Sequence, residues 1–199
     1  MEVINITLDF LRSDIFIPFG LLTILFLIGR YIPKIKDTIL KIDEIACRLI
    51  IFSGLLYTII LLISYVYIFI FMGDESNEYA ITNRATGPYA WVYWAMVFSW
   101  LFITQPFRFK LVRKNIFIRL ITIPFFLITY ERFIIIVVSW HRDYAPEGWQ
   151  DLNFWDILNT IPYWPLHLLL KLSLFIGYVF IFNWVTKKWK SYKATKVVS

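Results

Sequence analysis

Glu131 and Arg132 are adjacent ionisable residues inside an otherwise apolar run, Leu120 to Trp140. A charge at the centre of a membrane helix costs roughly 2.5–3.5 kcal/mol on insertion scales, so such residues normally face protein or water and carry a role. His141, Arg142 and Asp143 follow directly. Eleven residues are about three turns of α-helix, which places Glu131 and Arg142 on nearly the same face. A carboxylate lying below an Arg, His and Asp cluster could form a polar track leading into the membrane. It would conduct protons or line a quinol pocket. The same residues suit a buried ion-pair network that fixes helix packing.

Other polar residues point to less chemistry. His141 and His167 are the only histidines. Both fall near the end of an apolar run, whereas haem sites usually place histidines deep between facing helices, so no haem is expected on this chain. No ligand cluster has zinc-site spacing, and no metal site is expected. Cys47 is the single cysteine, which leaves it a packing role. Glu44 and Arg48 stand one helical turn apart with Asp43 beside them, a pattern of local helix stabilisation. Gln105-Pro106 marks a helix end. Nucleotide loops, Gly-rich fingerprints and nucleophile elbows are missing from the sequence.

The elements that must position these residues are membrane helices. The 199 residues are 59% hydrophobic and 17% charged, more apolar and less charged than soluble domains. Mean hydropathy is +0.65. Spans of roughly 20 apolar residues are expected near 15–32, 49–73, 85–107, 116–140 and 166–186, with one long loop at 141–165. Arg30 and Lys171 would complete the first and last spans by extending their charged tips to the interface. Within the long loop, Asn153 to Asn159 suits a short helix lying in the interface.

Charge placement sets the expected topology. Arg30, Lys34, Lys36, Lys41 and Arg48 separate the first two spans; Arg108, Lys110, Arg113, Lys114 and Arg119 separate the third and fourth; Lys187, Lys188, Lys190, Lys193 and Lys196 follow the fifth. With five spans all three clusters share one face. The other face has Arg12, Arg84 and Arg142 among many acids, including Asp74, Glu75, Glu78, Glu147 and Asp151. The positive-inside rule then makes the chain an all-α, multi-pass helix bundle with its N-terminus outside and its C-terminus in the cytoplasm. The net charge of +6 reflects this asymmetry, and no nucleic-acid partner is expected. Glu2 and Asp9 stand where a signal peptide would carry basic residues, so no cleavable signal is expected.

Two stretches together resemble a known family. Asn83-Arg84-Ala85-Thr86-Gly87-Pro88-Tyr89-Ala90-Trp91, with Tyr93-Trp94, is similar to a loop-to-helix motif of NrfD/PsrC-like membrane subunits of bacterial alternative complex III. Glu131-Arg132-Phe133 through His141-Arg142-Asp143 to Pro146 and Trp149 resembles the same family's signature near the end of a later helix. Gln105-Pro106 and Val112-Arg113-Lys114-Asn115 fall between them in the expected order. The similarity covers the C-terminal half of such subunits only, and Lys41-Ile42-Asp43-Glu44 stands where the family has a histidine.

The resemblance implies a bacterial inner-membrane subunit of a quinol:cytochrome c oxidoreductase-like respiratory complex. Its partners would be other membrane and extrinsic subunits and lipids. Haem and iron–sulfur clusters would sit in those partners, and quinol or menaquinol would be the ligand in reach of Glu131, Arg132, His141, Arg142 and Asp143. Arg84, Gly87, Pro88, Tyr89 and Trp91 would form the family-motif loop. Two other readings stay open: a non-catalytic accessory or assembly protein that keeps the half-bundle for packing, and a small transporter or channel subunit. The last would need a broken helix at the membrane centre, for which Pro124 is the one hint.

Overall fold

The computed structural model describes residues 2–71, 85–87, 90–127 and 164–198. Among these every regular element is helical: α1 (Glu2–Phe10), a π-helical turn (Leu11–Phe16), α2 (Ile17–Gly29), α3 (Lys36–Phe71), α4 (Ala90–Thr104), a 3-10 turn (Gln105–Arg108), α5 (Lys110–Lys114), α6 (Ile116–Leu127) and α7 (Trp164–Val198). Among the described residues three helical stretches are long and apolar enough to cross a membrane: Glu2–Gly29, Lys36–Ile68 and Leu166–Lys193. Of the expected spans 85–107 and 116–140, the described helices are α4 and α6.

The first span begins earlier than its hydropathy suggests. Helix runs unbroken from Glu2 to Gly29 through Asp9, Arg12, Ser13 and Asp14, because these polar groups have partners. Arg12 Nη2 lies 3.0 Å from Asp9 Oδ1, and Asp14 pairs with Lys171 of α7 at 3.1 Å. The π-helical turn has a local cause in Pro18. Proline provides no N–H for the helical ladder, and its ring presses on the carbonyl four residues back, here that of Asp14. Widening the helix over Leu11–Phe16 relieves that contact.

Helix α3 is also longer than expected. Its 36 residues make a rod of about 54 Å against a hydrocarbon core of about 30 Å. The expected span began at Leu49, the first residue of the charge-free run, which left Asp43, Glu44 and Arg48 outside it. These charges are instead inside the helix and satisfied by ion pairs. At the other end of the chain α7 continues past the expected 186 to Val198. There Lys188 lies over the Trp184 ring and Lys193 over the Trp189 ring, with Nζ 5.0 and 5.6 Å from the centroids.

The core is aromatic. Phe16 stacks on Trp100 with centroids 4.1 Å apart. Phe19 meets Phe126 and Phe107 edge-on at 5.0 and 5.6 Å, and Phe175 of α7 closes the cluster at 6.3 Å from Phe19. This draws α2, α4, α6 and α7 around the π-helical turn. Two glycines allow close backbone approach. A Cβ on Gly54 would collide with the Thr104 side chain, and one on Gly20 would lie 2.8 Å from Phe126 Cβ. Small residues at such crossings are how helices pack in lipid, where burial from water drives nothing. Helix α7 is peripheral: only 11% of its most apolar window is buried.

Candidate functional site

Among the described residues, the most heavily buried polar cluster joins α2, α3, α5 and α6 at the end of the bundle where α2 ends and α3 begins. Arg119, in the first turn of α6, is completely buried. Asn115 starts that helix, its Oδ1 accepting from the backbone N–H of Phe117 and Ile118 at 2.9 and 3.3 Å, as a helix N-cap does. Cap and helical turn together direct Arg119 against α3. Its Nη1 donates to Asp43 Oδ1 at 2.7 Å and its Nη2 to Cys47 Sγ at 2.9 Å. Asp43 and Cys47 are one turn apart on α3, so both face it. The guanidinium also lies 5.7 Å from the Phe107 ring centroid.

Arg30, just beyond α2, completes the cluster. Its Nη2 approaches Asp43 Oδ2 at 3.4 Å and donates to the Arg113 carbonyl at 3.1 Å, while Nη1 donates to the Lys114 carbonyl at 3.4 Å. A cation on those carbonyls satisfies the C-terminal end of α5. On the outer side Glu44 accepts from Arg48 at 2.8 Å and from Arg113 at 3.4 Å. The Glu44–Arg48 pair is therefore formed, as expected, but half-exposed and worth only about 0.3–0.5 kcal/mol. The sequence suggests a neighbour of that pair in Asp43 and a loop cation in Arg119; in the structure they are partners across two helices, 76 residues apart. Cys47, expected merely to pack, is an acceptor for Arg119.

A pocket of about 320 Å³ opens beside the cluster, lined by Arg30, Leu40, Asp43, Glu44, Lys110, Arg113 and Lys114. Chemically the cluster is an electrostatic clamp: one buried carboxylate shared by two guanidiniums, one from the end of α2 and one from α6. Nothing in sequence periodicity pairs residue 43 with residue 119. The available signal was an Asp and a Cys at i,i+4 at the edge of a span, with an Arg at the edge of another.

The residues singled out for chemistry fall mostly elsewhere. Glu131, Arg132, His141, Arg142 and Asp143 lie outside the described residues, as do Arg84, Pro88 and Tyr89 of the family-motif loop. Gly87 accepts from the Ala90 N–H at 2.9 Å as the chain enters α4. Trp91 is exposed, and Trp94 Nε1 donates to the Ala85 carbonyl at 3.0 Å. His167 is exposed on α7. Lys171, expected to extend toward the interface, turns instead to Asp14 and the Ser13 carbonyl. Helix α6 passes through Pro124 without breaking. Among the described residues no group of three or more His, Cys, Asp or Glu stands together to hold a metal. No family model, curated protein or solved structure matches the chain.

Proposed function

We propose that this chain is a five-span, N-out, C-in subunit of a bacterial inner-membrane respiratory complex that oxidises quinol and is related to alternative complex III. The observation that carries the assignment is the pair of ordered motifs, Asn83 to Trp91 and Glu131 to Trp149, on one short membrane chain. The clamp supports the topology, since it brings Arg30, from the first basic segment, against Arg113 and Lys114 of the second. Both segments thus share one end of the bundle, as five alternating spans require. Electrons pass through cofactors of the partner subunits, while Glu131, Arg132, His141, Arg142 and Asp143 take the proton or quinol role. The tagged chain, purified gently from its own membranes, should bring down iron–sulfur and multihaem subunits. Its recovery alone would overturn the reading.

A second reading has an observation of its own. The pairs Arg30–Asp43, Arg119–Asp43 and Lys171–Asp14 are spent on holding helices of this chain together, which is what an accessory or assembly subunit needs. A Glu131→Gln variant separates the two readings within the intact complex. Quinol oxidation and proton release should fall if Glu131 takes part in chemistry, and stay unchanged if the chain only assembles.

A further inference from the structure

The pocket beside the clamp has a charge imbalance that the clamp does not use. Four of its lining residues are cations (Arg30, Lys110, Arg113 and Lys114) and two are carboxylates (Asp43 and Glu44). Both carboxylates are committed: Asp43 to Arg119 and Arg30, Glu44 to Arg48 and Arg113. Among the described residues the ammonium groups of Lys110 and Lys114, which line the pocket, have no partner. The chain therefore presents a concave site with surplus positive charge at the ends of its helices.

We propose that this pocket binds a phosphate group, carried by an anionic phospholipid headgroup or by a soluble phosphate. A phosphate offers several acceptor oxygens and a full negative charge, which suit ammonium and guanidinium donors together. A volume of about 320 Å³ falls within the range of small-ligand sites and holds a phosphate with a glycerol-sized substituent. Basic pockets between the ends of membrane helices are where anionic headgroups dock. Arg30 and Arg113 are fixed in advance by their intrachain bonds, while Lys110 and Lys114 close on the ligand. The site does not depend on which complex the chain serves.

The test is thermal unfolding of the full chain in neutral detergent at matched ionic strength. The added probes are dioctanoyl phosphatidylglycerol, dioctanoyl phosphatidylcholine and inorganic phosphate. A rise of several degrees with phosphatidylglycerol alone identifies a lipid headgroup, whereas a rise with inorganic phosphate identifies a soluble source; either follows from ligand linkage. The Lys110→Gln/Lys114→Gln variant leaves the clamp intact, because the backbone carbonyl of Lys114 takes part in it and its ammonium does not. That variant should need about tenfold more ligand for the same shift. The proposal is overturned by no shift with either anion, by an equal shift with phosphatidylcholine, or by an unweakened response in the variant. An equal loss in a Lys187→Gln/Lys188→Gln control would overturn it too, since a general basic face would then suffice.

Discussion

Arg119 shows why individual residues of this chain must be judged by their partners. A guanidinium with no exposed surface is tolerated because Asp43 and Cys47 receive two of its donors. Removing one partner of a buried pair leaves an uncompensated charge and typically costs 3–5 kcal/mol, whereas replacing both by apolar groups is often neutral. Arg119→Met should therefore lower the unfolding midpoint sharply in detergent. Asp43→Leu should do likewise, and the double variant should lose much less than the sum. Additive losses in that cycle would show that the two residues act separately. Cys47→Ala should cost less, about 1–3 kcal/mol, by leaving one Arg119 donor without an acceptor.

Between elements, close packing and paired charges decide which helices touch. The α3–α4 crossing depends on Gly54, where a methyl group overlaps Thr104, while Gly177 on α7 has open space around the same position. Gly54→Ala should destabilise by about 1–3 kcal/mol through forced separation of the helices. Gly177→Ala should be neutral or stabilise by up to about 1 kcal/mol through helix propensity. Equal effects of the two in equilibrium unfolding would refute this account of the crossing. Beside the apolar contacts of Phe175 and Tyr178, α7 is tied to the first helical stretch by the pair Lys171–Asp14, each about a quarter exposed (24% and 26%). Lys171→Met should leave Asp14 unpaired and weaken the docking of α7, and adding Asp14→Leu should restore it. Protease sensitivity of α7 would report both changes.

At the scale of the whole molecule, the described helices form a bundle with one basic end, clamped by ion pairs, and an aromatic middle. Its outer surface is rich in exposed apolar side chains, such as Ile63, Val66, Leu169, Phe180 and Trp184, as suits contact with lipid. The proposed five-span, N-out arrangement predicts the labelling of single cysteines in a Cys47→Ser background. Residues 34, 110 and 196 should react with an impermeant reagent only from the cytoplasmic side, and residues 77 and 148 only from the other. An opposite result for position 196 alone would remove one span.

Some of this was determined by sequence alone. Runs of apolar residues fix the helical class, since backbone polar groups in lipid must be satisfied within the segment, and basic clusters mark one end. Helix lengths were legible only in part. Asp14 and Asp43 stand outside the expected spans and Lys171 inside one, yet all three lie within helix, paired with Lys171, Arg119 and Asp14. Those pairings join residues 76 and 157 positions apart, and no local rule encodes such distances. Only the packed bundle places Arg30, Asp43, Cys47, Arg113 and Arg119 together. It does so because burying one guanidinium requires an acceptor at hydrogen-bond distance, and α3 alone offers a carboxylate and a sulfur on the facing turn.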